Sequence, residues 1–304
     1  MTKNRKDVYQ TVTNKIILQL EKSIKKGWSK PWVDRFGGRG PVSTIGRRYR
    51  GINVPLLYAD DSASQVYGTF KAWKSVGCSV KKRPDDVPAG LWGTNVVAWV
   101  TVRPDDPTIR PFMFPKFHTV FPAEKVTGPV QDVIDSAREP VKLPDGVTPQ
   151  KHVDALLADY MQKGPSLTTG HNNRAYYHRG NDQVTMPAAE QFKTTEGYYA
   201  VLLHEMAHST GHKSRLDRQF GATFGDDAYA FEELIAELSA AMTCGACQIS
   251  GEPRPDHAEY LRSWLKVLRE DKKAIFKAAS AAQKAADLIL GTKYQAIENP
   301  AKAA

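Results

Sequence analysis

One short motif constrains this chain more than any other feature, because His204, Glu205 and His208 form the pattern H-E-x-x-H. Two histidines four residues apart lie on one face of a helix, about one turn apart, so both imidazoles can reach a single cation. Glu205 then lies beside that cation, where its carboxylate can accept a proton from a metal-bound water. The motif predicts one ion per chain, zinc or another divalent metal such as manganese, with Glu205 as the catalytic base.

The residues around the motif favour a helix. Thr194 and Thr195 are suitable N-terminal caps, and Gly211 is a natural stop after the second histidine. A chance match on a core helix is the alternative, but the motif has the right structural context as well as the right letters.

A catalytic metal site of this kind needs a third ligand. His212 would align with the other two histidines on an unbroken helix, but Gly211 is expected to end the helix before that turn. The longer metzincin pattern is not matched, since its third histidine position is occupied by Ser214.

A second helix, over residues 228–238, provides carboxylates. Glu233 and Glu237 are one turn apart, which is the geometry of a gluzincin-like site. We predict that Glu233 is the third metal ligand and that Glu237 orients a ligand histidine from behind. Glu232 is expected to point away, as a solvated or helix-capping charge.

Charge is distributed unevenly along the 304 residues. Residues 1–127 contain 22 Lys and Arg against 10 Asp and Glu, a net charge of +12, whereas residues 128–304 contain 20 against 23, a net charge of −3. The length and this asymmetry predict an α+β protein of two domains. The expected division is a basic α/β domain over residues 1–127, a linker over 128–148, and the metal-binding domain over 149–304.

Aromatic and basic residues alternate through the first hundred positions, a pattern typical of proteins that bind single-stranded nucleic acid. Trp73 and Trp99 are assigned to the core, because most tryptophans are buried, and Lys81–Gly93 is expected to be an exposed hairpin or flap. The candidate DNA-binding residues are Trp28, Lys30, Trp32, Arg47, Arg48, Tyr49 and Arg50.

Other features narrow the class of protein. No apolar run approaches the ~20 residues that span a bilayer, and no signal-peptide core follows Met1, so a cytoplasmic protein with no membrane partner is expected. Cys244 and Cys247 form a lone C-x-x-C among small residues, which favours buried thiols over a redox or zinc pair. A β-hairpin predicted near residues 174–186 could form one wall of a cleft and pair with an extended peptide.

Taken together, the motifs resemble those of the ArdC-type antirestriction proteins of conjugative plasmids, whose N-terminal region is shared with plasmid TraC-type primases. The resemblance covers nearly the whole chain and departs from the family pattern at Lys81–Gly93. It is carried by Pro31-Trp32, Tyr49-Arg-Gly-Ile-Asn53, Thr69-Phe-Lys-Ala-Trp73, His204-Glu-Met-Ala-His208, Thr210-Gly-His-Lys-Ser-Arg-Leu-Asp217, Phe224–Leu234 and Ser263–Leu268.

The resemblance implies a single-stranded DNA-binding domain followed by a zincin-like metallopeptidase domain, and protection of incoming plasmid DNA from host restriction. This function is that of a DNA-binding shield, a protein that covers incoming DNA and whose zincin domain is structural or regulatory. Two further functions compete with it. One is a metallopeptidase that the basic domain brings to DNA, where it cleaves a protein or peptide substrate. The other is a primase accessory module, which is disfavoured because the chain has no nucleotide-binding glycine loop.

Overall fold

The computed structural model describes residues 7–25, 40–60, 62–88, 90–106, 108–139, 143, 145–219, 227–249 and 258–292. Three of the candidate DNA-binding residues, Trp28, Lys30 and Trp32, lie outside the described residues. Helices and strands are both present, in agreement with the α+β class.

The N-terminal part is built around a four-stranded sheet in the order β1-β2-β5-β4. Strand β1 is parallel to β2, and the other two pairs are antiparallel. Strands β4 and β5 form a long hairpin, in which Thr94 pairs with Val120 and Val102 pairs with Phe112. The elements are α1 (Val8–Lys25), β1 (Val42–Ser43), α2 (Asn53–Tyr58), β2 (Val66–Gly68), α3 (Phe70–Ser75), β3 (Ser79–Val80), β4 (Thr94–Val102), β5 (Phe112–Pro122), β6 (Val126–Thr127) and α4 (Val130–Ala137).

Within the described residues, the C-terminal part combines five α-helices with a three-stranded sheet in the order β7-β9-β8. The hydroxyl of Thr194 accepts a hydrogen bond from the Gly197 amide at 3.0 Å and caps α6, as its sequence context predicts. The elements are α5 (Pro149–Met161), β7 (Ser166–Gly170), β8 (Tyr176–His178), β9 (Gln183–Pro187), α6 (Thr195–Ser209), α7 (Asp227–Cys247), α8 (Ala258–Glu270) and α9 (Ala274–Ile289).

The two parts share a hydrophobic core. Val12, Ile16 and Leu20 of α1 are buried in the same cluster as Trp264 of α8 and Ile275 of α9. Helix α1 of the basic part is therefore covered by α8 and α9.

A second contact between the parts depends on Gly245 of α7. A Cβ atom at this position would lie 2.8 Å from the Tyr58 hydroxyl and 3.3 Å from the Gly40 amide nitrogen. Glycine lets the C-terminal end of α7 approach the N-terminal part this closely.

The segment predicted to be a linker contains helix α4. Val133 and Ala137 of this helix are buried against a cluster that includes Val66 and Trp73. The first residues of the 128–148 segment thus belong to the N-terminal core, while the start of the second domain near residue 149 stays a prediction.

The two tryptophans that were assigned to the core differ in their exposure to solvent. Trp73 is fully buried, and its indole nitrogen donates to the Phe121 carbonyl at 2.9 Å, which confirms that prediction. Trp99 is 40% exposed, so its assignment to the core was wrong. The reason is that the outer half of the β4–β5 hairpin extends beyond the elements that cover its inner half.

Two further sequence expectations can be compared with the structure. Cys244 and Cys247 are buried thiols, as predicted, and burial raises the pKa of Cys247 to about 11. Among the helices within the described ranges, none is long and apolar enough to cross a membrane.

Candidate metal centre

Helix α6 places His204 and His208 one turn apart on the face that contacts α7. Their Nε2 atoms lie 3.1 Å apart, and the rings are nearly perpendicular, with centroids 4.8 Å apart. Both side chains are buried. The two imidazole nitrogens are therefore directed at one point, as the H-E-x-x-H spacing requires.

Helix α7 packs against α6 and brings Glu233 to the same point. One carboxylate oxygen of Glu233 lies 3.5 Å from His204 Nε2, and the other lies 3.3 Å from His208 Nε2. One ligand atom from each of the three residues can be chosen so that all lie within 4.8 Å of one another.

These separations fit a metal ion. Zinc–nitrogen and zinc–oxygen bonds of about 2.0–2.2 Å place the ligand atoms of a tetrahedral site roughly 3.3–3.6 Å apart. The separations here run from 3.1 to 3.5 Å. Two imidazoles and one carboxylate are also a donor set that leaves a fourth position for water, as a catalytic site needs.

The electrostatics of the centre also favour a cation. Burial by itself lowers the pKa of His208, but the nearby carboxylate of Glu233 and the hydrogen bond that His208 donates to Glu232 outweigh it, so that the pKa lies well above its usual value. Burial by itself raises the pKa of Glu233, but the two histidines hold it well below its usual value. The pocket therefore stabilises both a carboxylate and the positive charge that faces it.

Glu237 lies one turn after Glu233 and contacts the first histidine from behind. Its Oε1 is 3.0 Å from His204 Nδ1, on the side of the ring opposite the candidate metal position. A carboxylate at this place holds the ring in position and favours the tautomer whose Nε2 is free to bind a cation.

Glu232 does not point away, and this corrects our expectation of a solvated charge. Its side chain is 3% exposed, and its Oε1 lies 3.2 Å from His208 Nδ1. The second histidine thus has a carboxylate behind it, just as the first has Glu237. The error arose because α7 is buried on more sides than an amphipathic helix, so that Glu232 also faces the protein.

Arg218 is a residue of this centre that the sequence analysis missed. Its guanidinium donates to both oxygens of Glu232, at 2.9 and 2.6 Å. It also donates to the Thr210 hydroxyl at 2.7 Å and to the Ala207 carbonyl at 2.9 Å. Its partners are 8 to 14 residues away in sequence, so no local spacing rule predicts them.

The two remaining candidates from the motif occupy different positions. His212 lies after the end of α6, and its Nδ1 is 2.8 Å from the Ser214 hydroxyl and 3.9 Å from Asp182 Oδ2. The structure therefore groups Glu233, and not His212, with the two motif histidines. Glu205 is buried in α6, and its negative charge is among those that raise the pKa of His208.

The candidate DNA-binding residues within the described ranges are not equally available. Arg47 is exposed, but Arg48 donates to the Ala246 carbonyl of α7 at 2.9 Å. Arg50 forms an ion pair of 2.5 Å with Asp287 of α9. Tyr49 packs edge-on against Tyr67, with ring centroids 6.3 Å apart.

Comparisons with known proteins agree with this arrangement. Residues 6–121 match the N-terminal domain of anti-restriction factor ArdC, and residues 151–281 match a zincin-like metallopeptidase family. The crystal structure of the metal-free antirestriction ArdC protein from plasmid R388 is 35% identical, with a TM-score of 0.71, and the match covers 93% of this chain and 96% of that one. The chain belongs to the ArdC family of antirestriction proteins.

Other relatives of this ArdC-family chain are informative. The Mn(II)-bound structure of the R388 protein is 36% identical, with a TM-score of 0.68, over 94% of this chain and 97% of that one. An uncharacterised protein of Sinorhizobium fredii (strain NBRC 101917 / NGR234), y4eC, is 34% identical over 98% of this chain and 96% of its own length. The DNA primase TraC of Escherichia coli is 31% identical over 98% of this chain, but only 28% of the primase is covered.

Together, the zincin-like match, the manganese-bound relative and the clustered ligand atoms support a divalent metal in this ArdC-family chain.

Proposed function

We propose that this chain is an antirestriction protein that acts in the cytoplasm, binds single-stranded DNA and protects incoming conjugative plasmid DNA from host restriction. In this proposal His204, His208 and Glu233 hold one divalent ion. The observation that carries the proposal is the buried triad of ligand atoms within 4.8 Å, in a chain of the ArdC family.

Zinc is the first choice for the ion and manganese the second. Imidazole and carboxylate ligands suit both metals, so the donor set does not separate them by itself. A bound ion would lower the pKa of a coordinated water and polarise a carbonyl oxygen. Glu205, buried in the same helix turn, is the proposed residue that takes the proton.

Binding of single-stranded DNA is assigned to the N-terminal part. Its net charge of +12 over residues 1–127 would attract phosphates at long range, and exposed aromatic rings would stack on unpaired bases. The C-terminal part carries the opposite net charge, which argues against DNA binding there.

The alternative function is a DNA-targeted zinc metallopeptidase that cleaves a protein partner. Strand β8 supports it, because this strand is at the edge of the sheet β7-β9-β8 and could pair with an extended peptide. We favour the shield for a stoichiometric reason. Incoming DNA can be covered without turnover, whereas proteolysis of many unrelated restriction enzymes would need a recognition surface for each.

Plasmid establishment in paired recipients tests the proposed function. A conjugative plasmid that expresses the wild-type chain should enter restricting recipients more efficiently than the same plasmid without it. Both plasmids should enter non-restricting recipients equally well. Equal establishment in restricting recipients, at normal abundance of the protein, would refute the proposal.

A further inference from the structure

The β4–β5 hairpin exposes large apolar side chains to solvent. Its inner half is part of the core, where Val96 and Val120 are buried with Tyr67. Its outer half and the turn expose four large apolar side chains. They are Trp99, Ile109, Phe112 and Met113, each between 40% and 58% exposed. Large apolar groups concentrated on one exposed element mark an interaction site more often than scattered ones do.

The two aromatic rings lie on opposite faces of the hairpin. Trp99 pairs across the strands with Pro115, and Phe112 pairs with Val102, so the alternation of side chains puts them on different sides. Phe276 of α9 contacts Trp99 edge-on, with centroids 6.5 Å apart and an interplanar angle of 85°. This contact holds the Trp99 ring in one orientation while leaving much of it open to solvent.

Three basic residues belong to the same part of the hairpin as these rings. Arg103 and Arg110 flank the turn of the hairpin, and Lys116 lies on β5 between Phe112 and the core; all three are exposed. Within the described residues, none of the three forms an ion pair with a carboxylate. Arg48 and Arg50 differ, since their guanidiniums already contact α7 and α9.

From this contrast we propose that the outer half of the β4–β5 hairpin is a binding surface for single-stranded DNA. We define this hairpin surface as Trp99, Arg103, Arg110, Phe112, Met113 and Lys116. The inference rests on the proposed function and deepens it, because it names where the DNA binds.

The chemistry of the hairpin surface favours this occupant over others. Unpaired bases offer flat apolar surfaces that can stack on Trp99 at one face of the hairpin and on Phe112 at the other, and phosphates match the three exposed cations. Duplex DNA hides its base faces inside the helix, so it would leave the rings exposed.

Binding of labelled oligo(dT) by the full-length chain tests the hairpin surface. Phe112→Ala and Trp99→Ala should each weaken binding roughly 5- to 150-fold, the loss expected for one stacked base. Lys116→Ala should reduce the slope of log K against log salt by about 0.7, since it removes one phosphate contact. Phe112→Trp should keep wild-type affinity, because a larger ring still stacks.

Two control variants match these changes outside the hairpin. Leu18→Ala removes an apolar side chain of α1 that is 50% exposed, as Phe112 is, and Lys151→Ala removes an exposed cation of α5. Neither should change DNA affinity. Trp99→Ala also removes the contact to Phe276, so thermal unfolding is measured for it, and Phe112→Ala supplies the decisive result if Trp99→Ala unfolds.

The outcomes separate this inference from the proposed function. If the wild-type chain binds no single-stranded DNA, the DNA-binding part of the proposed function fails. If it binds, but Phe112→Ala and Lys116→Ala bind equally well, only the hairpin surface is refuted. A wild-type dimer that Phe112→Ala dissociates without loss of DNA affinity would likewise overturn the hairpin surface, in favour of self-association.

Discussion

Arg218 and Glu232 are joined by two parallel hydrogen bonds, from Nε to Oε2 at 2.9 Å and from Nη2 to Oε1 at 2.6 Å. The same Glu232 oxygen lies 3.2 Å from His208 Nδ1. Arg218 thus holds a carboxylate against the second motif histidine, and its bond to the Ala207 carbonyl fixes this group to the end of α6. Burial raises the pKa of Glu232, but Arg218 and His208 outweigh it and keep the pKa low.

We therefore predict that Arg218→Lys weakens metal binding by roughly 10- to 100-fold, the range seen when a residue behind a metal ligand is lost. Lysine keeps the charge but cannot form the paired hydrogen bonds that position Glu232. Competition with a chelator measures the affinity for zinc and for manganese.

The control for this change is Arg215→Lys. Arg215 is part-buried like Arg218, also donates to a carbonyl at the end of α6, that of Ser209, and also pairs with a carboxylate, Asp182. Arg215→Lys therefore shows how far metal affinity falls through a general loss of stability, while the contact between Glu232 and His208 is kept. Equal metal affinities for the two variants would show that Arg218 is merely structural.

Metal stoichiometry tests the ligand assignment directly. His204→Ala and Glu233→Ala should each abolish stable binding of the single ion, because two ligands hold a divalent metal poorly. His212→Ala should retain full stoichiometry, since His212 faces Ser214 and Asp182. Elemental analysis of purified protein decides between them. Normal binding by Glu233→Ala together with loss in His212→Ala would show that the third ligand is wrong.

Glu205→Gln separates the shield from the peptidase. The substitution removes the proposed general base but keeps both histidines and nearly the same packing. We expect protection of the plasmid in restricting recipients to survive it. If this variant alone abolishes protection, at normal abundance and DNA affinity, the shield fails and the DNA-targeted metallopeptidase takes its place.

Trp28 and Trp32 give a separate prediction for DNA. Trp28→Ala or Trp32→Ala should weaken binding of single-stranded DNA without unfolding the protein, and wild-type affinity should fall steeply with salt. Anisotropy titrations at several salt concentrations, with duplex DNA of the same length beside them, provide the measurement. Loss of the folded state in these variants would instead assign the two rings to the core.

The shared core predicts that the two halves unfold together. Trp264 is fully buried in the cluster that also contains Val12 and Ile16 of α1. Trp264→Ala should cost about 3–5 kcal/mol of the free energy of unfolding. Hydrogen exchange should then become faster in α1 as well as in α8. Unchanged protection of the α1 amides would mean that the N-terminal part is stable by itself.

The sequence by itself was sufficient for the features that depend on local spacing. A helix has 3.6 residues per turn, so the positions of His204 and His208 on one face, and of Glu233 and Glu237 on one face, follow from their separations. The N-terminal cap of α6 and the burial of Trp73 are also features that local patterns indicate. The family resemblance followed from motifs of the same kind.

Tertiary structure decided which side chains are covered or paired by segments that are distant in the sequence. Glu232 and Glu233 are neighbours in sequence, yet whether Glu232 faces water or His208 depends on Arg218 and on the packing of α6 against α7. Arg48 and Arg50 look like free cations in sequence, but α7 and α9 supply partners about 200 or more positions away. Trp99 has the pattern of a core strand residue, and only the length of the hairpin beyond its covering elements leaves it exposed. Such contacts join residues far apart in the chain, and periodicity carries no information about them.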